Sequence, residues 1–333
     1  MVRPDVTWYA RRLAADLGAK ASDDPVPFVL KHAEKRVRAA AKKLNARTLP
    51  ELLDATAQEV STRFEIIETD DELTRLVATN VARGETGFAP LPKDFEDSFG
   101  VTLRLLKRRE WEPERVSVID CRGTKKYKSY YTKWHELAHL LTLTEQGQLK
   151  FRRTHAERQA PDEALMELVA GHFGYWSEIL QPHLTGNLTF ETLIRIRSEQ
   201  CPEASWQSFV HAAIDRWGAP AVYVKAAMGL KRGEERQRNQ ASMWSIPVGQ
   251  KLRLADVVVN DSARSRGAEL FPNMRVPEQS ILHRIYARQH APGSADECLS
   301  MWESSQRGAL PSCAVVVEGR RAYEAVEGLI TFN

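Results

Sequence analysis

Two histidines four residues apart, inside a stretch that can form one continuous helix, constrain this chain more than any other feature. Residues 135–139 read His-Glu-Leu-Ala-His, and residues 130–143 contain no glycine or proline. On an α-helix, residues four apart lie on the same face, so both imidazoles can reach one ion. Three leucines fall on another face of the same helix: Leu137, Leu140 and Leu141. The pattern predicts a site helix packed on a core.

The residue types in this run are those of a metal site. His135 and His139 offer the imidazole nitrogens that zinc prefers, and Glu136 places a carboxylate beside them. In zinc hydrolases with this spacing, the carboxylate acts as the general base toward the attacking water. The alternative is a helix whose histidines serve only in packing or lie at the surface. The uninterrupted helical context favours the metal site.

A third protein ligand is expected from the next helical segment, residues 161–176. It begins with Pro161 followed by two acidic residues, which is typical of a helix start. Glu167 shares a line at helical spacing with two small residues, Ala170 and Gly174, which would allow a close approach to another backbone. Glu167 is therefore the preferred ligand. Glu163 is the alternative, although complementation of the helix dipole would by itself explain its presence.

These motifs resemble a known family. The His-Glu-Leu-Ala-His run, followed about thirty residues later by Glu-x-x-Ala-x-x-Phe, is similar to the ImmA/IrrE-type metallopeptidases of bacteria and their mobile elements. The matching residues of the second motif are Glu167, Ala170 and Phe173. The resemblance covers about residues 25–200. It implies a zinc enzyme that cleaves or inactivates a DNA-binding repressor, which switches on a mobile element or a stress response.

The site predicts specific roles for its residues. Zn²⁺ is the expected cofactor, with His135, His139 and Glu167 as ligands and Glu136 as the catalytic base. A developing oxyanion needs a further donor, and three tyrosines are candidates by position: Tyr130, Tyr131 and Tyr175. His155, in the connection between the two site helices, is a minor candidate for contact with substrate or metal.

Composition is that of an ordinary globular protein. The chain has 333 residues, 43% hydrophobic and 27% charged, with a formal net charge of only +3. So small a charge does not call for a nucleic-acid partner, and direct nucleic-acid binding is not expected. No segment approaches eighteen consecutive apolar residues, so no membrane span is expected. The four cysteines are scattered without a Cys-x-x-Cys pair, which favours a reducing cytoplasm.

The expected fold class is α+β: a helix-rich zincin-like metallopeptidase core with a small sheet, then a helical segment and a C-terminal mixed α+β module. The predicted boundaries are an N-terminal extension at 1–24, the metallopeptidase domain at 25–185, the helical segment at 186–218 and the module at 219–333. The helical segment fits either a helix-turn-helix or simple core packing. Residues 79–99, rich in glycine and proline, are expected to form a loop that covers the cleft. The module is expected to be regulatory.

Three functions from different classes fit these features. The first is a zinc endopeptidase that cleaves a regulatory protein, most simply a transcriptional repressor. The second is a metal-dependent regulator that binds a partner protein without hydrolysing it. The third is a DNA-binding protein with a structural metal. The presence of Glu136, which a structural site would not need, favours the first.

Overall fold

Helices and strands form largely where apolar periodicity and capping residues predict them. The structure, a computed structural model, describes residues 4–142, 150–154, 160–231, 249–288, 291–304 and 308–332. The chain forms two units. Unit 1 contains Met1–Leu180 and Glu199–Trp206, and unit 2 contains Gln181–Ser198 and Gln207–Asn333. Both units contain helices and strands, which confirms the α+β class.

The helices of unit 1 begin at recognisable signals. Thr48 and Thr69 each form a capping box with the glutamate three residues later, which fixes the first turns of α3 and α4. Proline occupies the first turn of α2 and α7. The helices are α1 (Pro4–Asp16), α2 (Pro25–Leu44), α3 (Leu49–Glu59), α4 (Asp70–Ala82), α5 (Leu91–Asp97), α6 (Ser129–Thr142), α7 (Pro161–Gly174) and α8 (Ser177–Leu180).

The strands of unit 1 form one four-stranded sheet in the order β1-β3-β2-β4. They are β1 (Thr62–Ile67), β2 (Ser98–Arg104), β3 (Arg115–Asp120) and β4 (Lys150–Thr154). Strand β1 pairs parallel with β3, whereas β2 pairs antiparallel with both β3 and β4. In the described part of the chain, β1 and β4 are therefore the two ends of the sheet.

The two faces of this sheet differ in chemistry. Since side chains alternate along a strand, Val101, Leu103, Val116 and Val118 share one face, where they form an apolar core with residues of α4 and α5. On the opposite face, α6 packs against β2, β3 and β4. On β2 and β3 that face carries Gly100, Thr102 and Ser117, with the apolar Ile119 beside Gly100. At these two strands the site helix lies on the more polar face of the sheet.

Unit 2 contains a five-stranded antiparallel sheet in the order β6-β5-β11-β10-β7 and a separate β8-β9 pair. Its strands are β5 (Ala221–Gly229), β6 (Lys251–Val259), β7 (Gly293–Cys298), β8 (Glu303–Ser304), β9 (Gly308–Ala309), β10 (Ala314–Ala322) and β11 (Ala325–Phe332). The helices with most of their residues in unit 2 are α9 (Phe190–Gln200), α10 (Trp206–Arg216), α11 (Asp261–Ser265) and α12 (Ile281–Arg288). Helix α12 packs on β10 and β11, where Gly319 and Gly328 leave room for Leu282.

Several sequence predictions are corrected by this architecture. Residues 79–99 are not a loop, because α4 extends to Ala82, a 3₁₀ turn follows, and α5 occupies Leu91–Asp97. Burial of Phe88, Leu91 and Phe95 in the sheet core holds these short elements. The segment predicted as an extension contains α1, which packs against α2 and α7 within unit 1.

The predicted domain boundaries stay predictions. The predicted helical segment at 186–218 contains α9 and α10, but both helices fall largely in the same unit as the C-terminal sheet. The apolar side of α10 is buried, in agreement with core packing. None of the helices in the described residues is long and apolar enough to cross a membrane.

Candidate metal centre

The start of the site helix is fixed by a buried aspartate. Asp120 ends β3 and is 1% exposed. Its carboxylate accepts hydrogen bonds from Arg122 Nε at 2.8 Å and Lys125 Nζ at 2.7 Å. Burial opposes ionisation of this group, but the two cations and their hydrogen bonds outweigh it and lower the pKa of Asp120. The turn between β3 and α6 is therefore held by a buried ion pair.

The end of the site helix is held by α2. Arg36 Nη1 donates to the carbonyl oxygens of Leu140 and Leu141, each at 3.0 Å. The last carbonyls of a helix lack intrahelical partners, so this guanidinium satisfies two acceptors that α6 would otherwise bury unpaired. Arg36 lies on the basic helix α2. Its hydrogen bonds to α6 show that this cation has a structural role.

Two tyrosines tie α6 to α7. Tyr130 Oη donates to the carbonyl oxygen of Gly174 at 2.6 Å, and Tyr131 Oη donates to that of Glu167 at 2.7 Å. Gly174 also allows a close approach, because a Cβ atom there would lie 3.3 Å from Cδ1 of Trp134. Gly174 therefore makes room for the Trp134 side chain of α6. These contacts set which residues of α7 face the two histidines.

Three side chains converge between α6 and α7. Nε2 of His135 lies 3.2 Å from Nε2 of His139 and 2.9 Å from Oε2 of Glu163. The other Glu163 oxygen, Oε1, lies 3.3 Å from His139 Nε2. One ligand atom from each residue falls within 4.8 Å of the others, and all three residues are buried. This group could hold a metal ion.

The third member of the group is Glu163, not the preferred Glu167. An oxygen of Glu167 lies 3.5 Å from Nδ1 of His135, on the opposite side of the ring from the nitrogen that faces His139. Both glutamates lie on one line of α7, one turn apart, so helical spacing alone could not choose between them. The position of α7 along α6 places Glu163 opposite the histidine pair. The group that could hold a metal ion therefore contains Glu163, and Glu167 as a ligand stays a prediction.

The donor chemistry of the group fits a cation. Both Nε2 atoms and the carboxylate face one point. Two imidazole nitrogens bound to one tetrahedral zinc would lie about 3.3 Å apart, close to the 3.2 Å found here. The separations thus match those of a shared metal ion.

The protonation states of His135 and Glu163 are also compatible with metal binding. Burial lowers the pKa of the His135 imidazole, in opposition to its bond with Glu163. Burial raises the pKa of Glu163, but hydrogen bonds from His135 and His139 outweigh it and bring the pKa to about 2. At neutral pH His135 is therefore neutral and Glu163 ionised. These are the forms that bind metal ions.

Glu136 is fully buried beside this group and faces the sheet. Its Oε2 accepts a hydrogen bond from Thr102 Oγ1 of β2 at 2.7 Å. Glu136 is not among the atoms grouped around the candidate ion, which agrees with a role other than ligand. Sequence reasoning missed Thr102, because β2 was not predicted as a strand. The alternation Phe99, Val101, Leu103 was the signal that could have found it.

The other predicted site residues have separate partners. The hydroxyls of Tyr130 and Tyr131 already donate to carbonyls of α7. Tyr175 is buried with its ring centroid 6.0 Å from that of Tyr130. A role for these tyrosines in oxyanion stabilisation stays a prediction, and the hydrogen bonds of the first two favour a structural task. His155 lies outside the described residues.

Comparison with known proteins adds no identification to this geometry. No protein-family model matches the chain, and no curated protein matches it either. The chemistry assigned to the site therefore rests on the residues described above.

Proposed function

We propose that this protein is a zinc-dependent endopeptidase that cleaves a regulatory protein. The observation that carries the proposal is the convergence of His135, His139 and Glu163 on one point, with the carboxylate of Glu136 on the same helix turn. Two histidines and one carboxylate are the protein ligands of many catalytic zinc sites, which keep a fourth position for water or substrate.

The metal assignment follows from the donor set. Two nitrogen donors and one oxygen donor favour zinc over magnesium or calcium, which prefer oxygen ligands alone. Zinc bound by His135, His139 and Glu163 would polarise a water molecule and the carbonyl of the scissile peptide. Glu167, 3.5 Å from Nδ1 of His135, is placed to orient that ring through its second nitrogen, as carboxylates commonly do for metal-bound histidines.

Glu136 is the proposed general base. It follows His135 directly, is not a member of the ligand group, and is held by Thr102. In this role its carboxylate accepts a proton from the attacking water and later delivers it to the leaving nitrogen. A site that only stored a structural metal would have no use for a buried carboxylate at this position.

The fold supports a peptide as substrate. The site helix α6 packs on a small sheet, as in zincin-like enzymes, and β4 is the last strand of that sheet in the described residues. An extended chain can pair with the edge of a sheet through main-chain hydrogen bonds, which makes affinity largely independent of side-chain sequence. The edge beside β4 is the proposed binding position for the substrate main chain.

The proposed substrate class is a DNA-binding repressor, and its support is the resemblance of the two motifs to ImmA/IrrE-type peptidases. Partner binding without hydrolysis, and a purely structural metal, are the alternatives. Both keep the metal ion, but neither produces a cleaved product.

The test is metal analysis of the purified protein followed by incubation with peptides. Zinc should be present at about one ion per chain. The zinc-loaded protein, but not the protein stripped with a chelator, should generate new N-termini in a proteome-derived peptide library and in a repressor encoded beside its gene. Full zinc without a new N-terminus in either substrate would favour the non-hydrolytic regulator. Absence of zinc would contradict the proposal.

A further inference from the structure

Three hydroxyl side chains run in a row across the sheet beneath the site helix. Thr62, Ser117 and Thr102 lie on β1, β3 and β2, three neighbouring strands. Thr102 stands directly opposite Ser117 in the β2-β3 register, and their Oγ atoms are 2.7 Å apart. Ser117 Oγ lies 3.3 Å from Thr62 Oγ1. All three are buried, so the row forms a continuous polar line inside unit 1.

The row ends on Glu136, and this end sets its direction. Thr102 Oγ1 donates to Oε2 of Glu136 at 2.7 Å. A hydroxyl has one proton, so Ser117 must then donate to Thr102, and Thr62 to Ser117. Every O–H in the row thus points toward Glu136.

Gly100 completes the contact from the other side of the carboxylate. It lies two residues before Thr102 on β2 and faces the same side of the sheet. A Cβ atom at position 100 would lie 2.9 Å from Oε1 of Glu136 and 2.7 Å from Cγ2 of Thr132 on α6. No larger residue fits there unless the helix or the carboxylate moves. The main chain of β2 therefore lies directly against the carboxylate.

We infer that Gly100 and Thr102, with Ser117 and Thr62 behind them, form a seat that positions the carboxylate of Glu136. The inference rests on the proposed function, in which Glu136 is the base. The four residues are positioning residues, because they act through Glu136. Simple core filling explains them less well, since the residues of β2 and β3 that alternate with Thr102 and Ser117 are apolar: Val101, Leu103, Val116 and Val118.

The seat can be tested without any substrate by a double-mutant cycle in metal-free protein. Thr102→Val removes the hydroxyl and keeps the shape, and it is made both in the natural chain and in Glu136→Leu. Urea unfolding then measures the cost of losing the hydroxyl with and without the carboxylate that accepts from it. Residues in contact couple measurably in such cycles. We expect Thr102→Val to lower the folding equilibrium constant at least about fivefold more in the natural chain.

Matched controls separate the seat from general core damage. Thr56 is equally buried but donates to the carbonyl of Leu52 within α3, so Thr56→Val should show no coupling to Glu136→Leu. Thr102→Ser keeps the hydroxyl and should restore the coupling. If Thr102→Val does not fold, Ser117→Ala gives a milder test, because Thr102 then loses its donor but still reaches Glu136.

The effect of the seat on catalysis is measured with a peptide that the natural chain cleaves in the proteome-derived library. Thr102→Val should lower kcat by about 10- to 100-fold, as loss of an outer-shell partner typically does, with KM and zinc content unchanged and with rescue by Thr102→Ser. Gly100→Ala should also lower kcat, whereas Gly87→Ala should not, since a Cβ there would meet only Leu103 at 3.9 Å.

The outcomes distinguish the seat from the proposed function. Equal costs of Thr102→Val in the natural chain and in the Glu136→Leu variant would overturn the seat, whatever the enzyme does. Coupling with rescue by serine would support it. If no peptide is cleaved by the natural chain, the proposed hydrolysis fails, while the double-mutant cycle still decides whether the seat exists.

Discussion

Glu163 Oε2 lies 2.9 Å from Nε2 of His135, and the second oxygen of the same carboxylate lies 3.3 Å from Nε2 of His139. One carboxylate therefore bridges two imidazoles that stand four residues apart on α6. Each of the three groups faces the same point, and this relationship defines the candidate metal centre.

The first prediction concerns the third ligand. Glu163→Ala removes one of three protein ligands and should abolish stoichiometric zinc. Glu167→Ala removes a group that faces the other nitrogen of His135, so it should weaken zinc affinity by about 10- to 100-fold without emptying the site at saturating metal. Zinc content and competition with a chromogenic chelator measure both effects. The reverse pattern, in which the Glu167→Ala protein lacks zinc and the Glu163→Ala protein retains one ion per chain, would identify Glu167 as the ligand instead.

Much of the site was predictable from local sequence. The spacing of His135 and His139 predicted a shared face on one helix, and Pro161 with the acidic residues after it predicted the start of α7, both as found. These features depend on residues only a few positions apart, so periodicity and helix-start rules suffice.

The rest depended on contacts between distant segments. The position at which α7 crosses α6 decides which of Glu163 and Glu167 faces the histidine pair. Hydrogen bonds between the two helices, such as that from Tyr131 to the Glu167 carbonyl oxygen, fix this position. The hydroxyl row on β1, β3 and β2 exists only once the strands are paired, because Thr62 and Thr102 lie forty residues apart in sequence. No local pattern specifies such a pairing.

The second prediction concerns the tyrosines. Tyr130→Phe leaves the buried carbonyl of Gly174 without its donor and should cost about 1–3 kcal/mol of unfolding free energy, measured by urea denaturation. If the hydroxyl is structural, kcat on a cleaved peptide should change little. A loss of ~10²–10³ in kcat with stability preserved would instead identify an oxyanion donor. Tyr131→Phe, which loses a bond to the Glu167 carbonyl, is the parallel variant.

The third prediction concerns pH. Asp120 is buried and paired with Arg122 and Lys125, which lower its pKa in the folded state. A carboxyl whose folded pKa lies below its unfolded value of about 3.9 contributes stability that is present above that value. The contribution is lost as pH falls through the folded pKa. Asp120→Asn should therefore cost about 3 kcal/mol near pH 7.

The same cost should shrink as the pH is lowered from about 4 to about 2, since the natural aspartate is then neutralised as well. Urea unfolding of both proteins across this range measures the difference. A cost of Asp120→Asn that is the same at acid and neutral pH would show that the charge of Asp120 does not stabilise the turn before α6.

The most direct measurement of the central claim compares Glu136→Gln with the natural chain. Glutamine keeps the size and hydrogen-bonding capacity of the side chain but cannot accept a proton as a base at neutral pH. Glu136 is not in the ligand group, so zinc content and folding should persist. Peptide cleavage should fall by ~10²–10⁴, and the inactive protein should still bind its substrate. A Glu136→Gln protein with full zinc and an unchanged rate of cleavage would contradict the account.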